Sequence, residues 1–297
     1  CRSLFRGNQN FIALEGSSTG TTIVERLVIS QDGSPLDDAS SLAAQTTDTS
    51  AEPSSREYDS AQQLDDLAPT NGKLLLQDDF DDGELNSTIW TTLGEVVLKD
   101  GQVQLGLPND EQHIDTWKAR PYLLTKKQFH PADGTLTILG KATFAENFLH
   151  GYGGSFAAMT RADGMHGGGP GWENSILRRG VRANFWPAAF GFDHSLEIHE
   201  KPEPNTITLL IAEGFQISPH SRSYLFRIVD DGQSATLTFL DAGDPAIRKT
   251  VSHATTSAMS SSGHIGFESC WGSPVLLDNI RVYKSQGETP EQARKVE

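Results

Sequence analysis

Two Asp-Gly dipeptides, each set between short runs rich in apolar and β-branched residues, most constrain what this chain can fold into. Val96 to Leu107 reads as two strands joined at Asp100-Gly101, and Ser223–Val229 and Ala235–Leu240 are joined through Asp231-Gly232. Asp-Gly is the dipeptide that a tight hairpin requires, because both of its central residues need positive φ. Further strand-like runs are Gly134–Ala145, Ser155–Thr160, Ser195–Glu200, Asn205–Glu213 and His264–Glu268, and no long segment keeps a 3.6-residue period. The expected fold is therefore all-β, an antiparallel sandwich of two sheets. A chain of 297 residues accommodates one such domain of ~200–250 residues with tails.

The domain should run over 71–284, from the opening Leu74-Leu75-Leu76-Gln77-Asp78-Asp79-Phe80-Asp81-Asp82-Gly83 to the closing Leu277-Asp278-Asn279-Ile280-Arg281-Val282-Tyr283. Before it, residues 1–70 carry 4 bases and 11 acids, and 31–70 is rich in Ser, Thr, Asp, Ala and Pro, so it buries too little apolar surface to offset chain entropy and reads as a linker. Residues 1–30 contain Phe11-Ile12-Ala13-Leu14 and Thr22 to Ile29 around a Gly-Ser-Ser-Thr-Gly turn, the pattern of a β-hairpin or the remnant of a preceding domain. The segment 285–297 is a polar tail.

Charge narrows the function. Thirty-nine acids against 24 bases give a net charge of −15, which leaves no basic stripe to displace counterions from phosphates, so nucleic acid is not expected as a partner. No apolar run reaches the ~18 residues of a membrane-spanning helix, and direct insertion of the chain into a membrane is not expected. The two cysteines, Cys1 and Cys270, make neither a disulfide framework nor a zinc knuckle. A chain beginning with Cys fits a lipoprotein freed of its signal peptide, lipidated at Cys1, as well as it fits an accidental boundary.

The opening Asp-Asp-Phe-Asp-Asp-Gly frame with Trp90, Asp100-Gly101-Gln102-Val103, Gly263-His264-Ile265-Gly266-Phe267 and the closing Leu277-Asp278-Asn279-Ile280-Arg281-Val282 resemble the LamG-like, concanavalin A-like lectin and glucanase superfamily, in the form found in bacterial cell-envelope proteins with FecR-like segments. The resemblance implies a jelly roll whose first and last strands are adjacent, carbohydrate as the ligand class, and an extracytoplasmic location: periplasm, cell surface or secreted.

Three constellations are candidate sites. By alternation Asp78 shares parity with Phe80, and Asp278 with Ile280 and Val282, which turns both carboxylates inward on neighbouring strands and suits a shared structural Ca²⁺. His194 to Glu200 places Ser195, Glu197 and His199 on one strand face. The resembling retaining glucanases carry two carboxylates on such a strand, but here His199 stands at the assisting position and Lys201 or Pro202 replaces the acid. Glu197 and His199 with Arg182 and Arg222 also make the residue set of a lyase that neutralises a uronate. Finally, residues 146–191 hold ten glycines in 46 residues, and within this excursion Trp172, Asn174, Arg178, Arg182 and Trp186 form a loop-built glycan-binding set. The leading expectation is a non-catalytic carbohydrate-binding or adhesion module. A polysaccharide lyase or glycoside hydrolase acting on an acidic glycan, and a structural surface module that binds other cell-surface proteins, are the alternatives.

Overall fold

A computed structural model describes residues 3–7, 10–14, 60–106, 121–144, 155–163, 179–186, 195–203, 206–215, 223–257, 259, 261–270 and 274–286. The chain divides into two units, Cys1–Ser54 and Ser55–Glu297. In the first, β1 (Ser3–Gly7) pairs antiparallel with β2 (Asn10–Leu14). This is a different hairpin from the one expected: Asn10–Leu14 pairs with the residues before it, and the Thr22–Ile29 run expected as its partner lies outside the described residues.

The second unit is the sandwich. Its strands are β3 (Lys73–Asp78), β4 (Trp90–Leu93), β5 (Val96–Lys99), β6 (Gln102–Leu105), β7 (Tyr122–Thr125), β8 (Thr135–Phe144), β9 (Ser155–Ala162), β10 (Gly180–Trp186), β11 (Ser195–Glu203), β12 (Thr206–Gly214), β13 (Ser223–Asp230), β14 (Ser234–Asp241), β15 (Arg248–Ala254), β16 (His264–Cys270) and β17 (Val275–Ser285). Among the described residues they form one sheet of order β12-β11-β10-β9-β16-β7-β4 and another of order β15-β14-β13-β8-β17-β6-β5, with β3 also paired to β17. Every ladder is antiparallel. Both Asp-Gly hairpins are present: Asp100 and Gly101 have φ of 52° and 71° and join β5 to β6, and Gly232, at φ 85°, lies in the turn between β13 and β14.

Alternation builds the core. Phe156 and Ala158 of β9, Val181, Ala183 and Phe185 of β10, Leu196 and Ile198 of β11 and Phe267 of β16 face Ile138, Tyr224, Phe226, Phe239, Leu277 and Val282 of the other sheet in one buried cluster. Aromatic rings interlock across the interior, with Phe185 stacked on Phe239 at 4.7 Å and Phe156 against Phe226 at 5.0 Å. Burial of rings this large dominates the cohesion of a sandwich. Near one end, a buried pair ties the sheets together. The Arg161 Nε of β9 donates to Asp230 Oδ2 of β13 at 2.9 Å, and both side chains are buried.

Composition and structure differ in two places. Within 31–70, read as linker, Ser60–Leu67 forms the helix α1, whose Leu64 and Leu67 pack on Leu139, Leu225 and Leu240 of the outer face of the β13–β8 side. Two leucines on one helical face suffice because tertiary contact, not propensity, stabilises so short a helix. Within 146–191, read as a loop excursion, Gly180–Trp186 is an interior strand between β9 and β11.

A bulge in β17 changes the reading of the calcium pair. Upstream, Val275 and Leu277 enter the core; downstream it is Ile280 and Val282, so the inward parity switches from odd to even. The switch occurs where the β17–β8 register slips between Asp278 and Arg281 and Asn279 takes φ 53°. Asp278 consequently pairs with Lys141 on the outer face, 4.0 Å from its Nζ, and accepts a hydrogen bond from Gln102 Nε2 at 3.3 Å. Asp78 lies opposite Ile280 and stays on the inner side. The two carboxylates occupy opposite faces of one sheet, which corrects the expectation that they share a cation.

Asp78 has a different task. Its Oδ2 accepts from the indole Nε1 of buried Trp90 at 2.7 Å and its Oδ1 from the Phe80 amide at 3.0 Å, fixing the entry of the chain into the sandwich. Burial pushes its carboxyl above the usual range, only partly opposed by these two donors. Asp78→Ala is expected to cost about 1–3 kcal/mol, since it orphans the indole N–H. A raised native pKa makes the folded state bind more protons, so Asp78's titration contributes stability below pH 3.8 that is lost as pH rises through the native value. The penalty for Asp78→Ala, read by urea denaturation, should therefore be larger at pH 3 than at pH 7.

Candidate functional site

On the face of the seven-stranded sheet opposite the core, the ladders align two rows of side chains. The first runs Glu197, Asn184, Ala157, Glu268, Tyr122 across β11, β10, β9, β16 and β7; the second runs His199, Arg182, Met159, Gly266, Leu124. Residues directly opposite in a ladder share a face, and the neighbours of these residues along each strand, Leu196, Ile198, Ala183, Phe185, Ala158 and Phe267, are in the core. Alternation alone therefore turns Glu197, His199, Arg182, Asn184 and Glu268 outward together. Ala157 and Gly266, in mid-sheet, contribute almost no side chain to this strip.

The polar groups are organised in pairs. His199 Nε2 lies 2.7 Å from Glu197 Oε2, and the Ser195 hydroxyl donates to Glu197 Oε1 at 2.9 Å. Burial raises the Glu197 pKa, but the hydrogen bond and charge of His199, and then Ser195, outweigh it, so its carboxyl is held below the usual range. Arg182 closes on Glu268, and both are buried. Asn184, cross-strand from Glu197, is wholly buried, yet neither its Nδ2 nor its Oδ1 completes a hydrogen bond. Its amide favours the Glu197 carboxylate from nearby without reaching hydrogen-bond geometry. Access is from the β11 side, where the Glu197 and His199 side chains remain 17% and 14% exposed.

Of the residues singled out in sequence, the structure brings together Glu197, His199 and Arg182. Trp186 stands opposite Ser195 in the row beside Glu197 and Asn184. Trp172, Asn174, Arg178 and Arg222 lie outside the described residues. Asn184 and Glu268 were missed. Glu268 sits in the closing motif next to core Phe267, so its outward parity was readable, but its alignment with Arg182 depends on β9 coming between β10 and β16, a pairing of segments about a hundred residues apart. Among the described residues, no three His, Cys, Asp or Glu side chains gather where they could hold a metal ion.

Glu197 and Glu268 are three strands apart, about 14 Å at the usual ~4.8 Å strand spacing. Glycosidase pairs need about 5–5.5 Å for retention or about 6.5–9.5 Å for inversion. The sandwich with this polar strip has the lectin-like, concanavalin A-type architecture.

No family model matches the chain, and no curated protein resembles it in sequence. Solved structures do resemble it in fold. The winged bean acidic lectin complexed with methyl-α-D-galactose superposes with a TM-score of 0.54 at 13% identity, over 72% of this chain and 99% of the lectin. A Bacillus subtilis protein of unknown function with a galectin-like fold gives 0.53 at 10% identity, over 73% and 99%. The exoplasmic/lumenal domain of VIP36, in its Ca²⁺- and Man3GlcNAc-bound form, gives 0.53 at 11% identity, over 75% and 95%. At such identities the likeness is one of fold.

Proposed function

We propose that the chain is a non-catalytic carbohydrate-binding module of an extracytoplasmic protein, with the Glu197–His199 end of the outer strip as its contact surface. The single observation that carries the reading is that Glu197, His199, Asn184, Arg182 and Glu268 converge on one face of a lectin-type sheet with every described charge already paired. Such a set offers fixed acceptors and donors to sugar hydroxyls. Among the described residues, His199 is turned to Glu197 and Arg182 to Glu268. The fold neighbours support the sugar: two are complexes with a methyl galactoside and with Man3GlcNAc. Trp186, beside the strip by register, together with Trp172, Asn174 and Arg178, belongs to the proposed ligand-binding set, and Arg222 belongs to the lyase alternative. The LamG-like, FecR-associated setting in a bacterial envelope rests on the terminal motifs.

Glycan-array binding by the full chain, with a parallel turnover assay on uronate polysaccharides, tests the reading. Binding without product is expected. Product release would replace it with the lyase alternative, and silence on every glycan would leave the structural module. Calcium-bound neighbours exist, and binding through the strip is expected to survive chelator because its ligands are protein side chains.

A further inference from the structure

An apolar side chain stands in the open beside the Glu197–His199 pair, and strand β12 puts it there. Resting on the carbohydrate-binding reading, we propose that β12 is the specificity element of the site: Leu209 and Ala212 form an apolar step that selects a sugar carrying a methyl group, as a 6-deoxy or an N-acetyl substituent, while a ring hydroxyl meets Glu197.

The register of β12 on β11 is bulged. Ala212 pairs with Glu197 and Ile211 with Ile198, but His199 pairs with Leu209, so Leu210 is the extra residue. Leu210 and Ile211 both pack against the core. The bulge therefore brings Ala212 and Leu209 to the same outer face, where strict alternation would have separated them. Leu209 is 51% exposed, more than any other large apolar side chain among the described residues, and Ala212 is exposed as well. On the inner side Glu213 pairs with Lys249 of β15 in the other sheet, which pins the strand beside its bulge.

A single exposed leucine is ordinary on a protein surface. Leu209 differs in its company. Cross-strand partners stand ~4.5–5.5 Å apart and diagonal ones ~7–8 Å, which sets Leu209 against His199 and leaves room for a sugar ring between its methyls and the Glu197 carboxylate. Ala212, directly opposite Glu197, contributes only one methyl to that space and keeps it open. On the other side of Glu197 is Asn184, wholly buried with neither its Nδ2 nor its Oδ1 hydrogen-bonded. Buried amides are ordinarily paired, and a hydroxyl held at Glu197 completes this one through a water. The step itself is aliphatic and small. A broad C–H ring face is best covered by an aromatic ring, whereas a methyl group fits between a leucine and an alanine, and one buried carbon strengthens binding about fourfold.

NMR titration of the full chain compares L-fucose with L-galactose, L-rhamnose with L-mannose, N-acetylglucosamine with glucose, and N-acetylgalactosamine with galactose. Within each pair only the first sugar carries the methyl group; the first two pairs report a 6-deoxy substituent and the last two an N-acetyl one. In at least one pair the methyl-bearing sugar is expected to bind about fourfold more tightly. Leu209→Ala should erase that preference and leave the partner sugar unchanged, which a loss of folding would not do. Ala212→Phe fills the space beside Glu197 and should weaken both sugars at least about tenfold. Both positions are exposed, so unfolding midpoints should stay where they are in the natural chain. Equal binding within every pair, a preference that survives Leu209→Ala, or unchanged binding in Ala212→Phe overturns the proposal and leaves the carbohydrate reading in place. So does an array on which the bound glycans carry neither substituent. Absence of binding to these sugars and to every glycan of the array overturns both.

Discussion

Asp230→Ala is expected to lower the stability of the sandwich by about 3–5 kcal/mol, the usual cost of removing one partner from a buried ion pair. Asp230 is wholly buried and accepts on both oxygens. Oδ2 takes Arg161 Nε at 2.9 Å and the Thr160 hydroxyl at 2.6 Å, and Oδ1 takes the Gly232 amide at 2.9 Å. Alanine leaves the Arg161 guanidinium in a dry site with only the Gly232 carbonyl, at 3.4 Å, and the Thr255 hydroxyl, at 3.3 Å, to meet it. The loss reaches both sheets, since Arg161 belongs to β9 and Asp230 to β13. It also reaches the backbone, because Arg161 holds φ at 56°, a conformation a non-glycine residue keeps only when its surroundings insist. Arg161→Leu/Asp230→Leu should be less destabilised than the sum of the single variants, because no charge is then left uncompensated. Urea midpoints of the four chains measure this. Additive losses would show that the pair is not coupled.

The second large effect is expected at the strip. Arg182→Ala strips the buried Glu268 of its counter-charge and should cost about 3–5 kcal/mol for the same physical reason. Arg182→Met/Glu268→Gln keeps the volume and removes both charges, so most of that stability should return. Glycan affinity separates structure from recognition. If the Arg182–Glu268 pair only shapes the strip, the double variant recovers sugar binding along with its unfolding midpoint. Recovery of the midpoint with affinity still lost would assign Arg182 a direct contact with the ligand. Glu197→Gln alone is a smaller perturbation at neutral pH. The depressed pKa of Glu197 adds stability that is present above pH 4.5 and lost as pH falls through its native value, so the difference between Glu197→Gln and the natural chain should shrink on acidification.

Much of the architecture was legible in the residues. The Asp-Gly hairpins and the strand-length runs depend on local turn chemistry and a period of two, whereas the adjacency of the first and last strands, seen in the pairing of β3 with β17, was implied by the resemblance of the terminal motifs. The same period of two put Ser195, Glu197 and His199 on one face. It failed at Asp278, because a one-residue bulge at Asn279 exchanges inside for outside and leaves no mark in the alternation except where the core residues change parity. Composition failed at Ser60–Leu67 and Gly180–Trp186. A helix anchored by two leucines, and a strand flanked by glycine-rich sequence, are stabilised by what they pack against.

What the sequence by itself determined is the class of sandwich and the strand that carries Glu197 and His199, since both follow from patterns a few residues long. Only the tertiary structure decided that Asn184, Arg182 and Glu268 complete the strip, and that Asp78 and Asp278 part company. Those outcomes depend on which strands lie side by side and in which register, and long-range ladder pairing is set by burial of the whole sheet rather than by any segment of it.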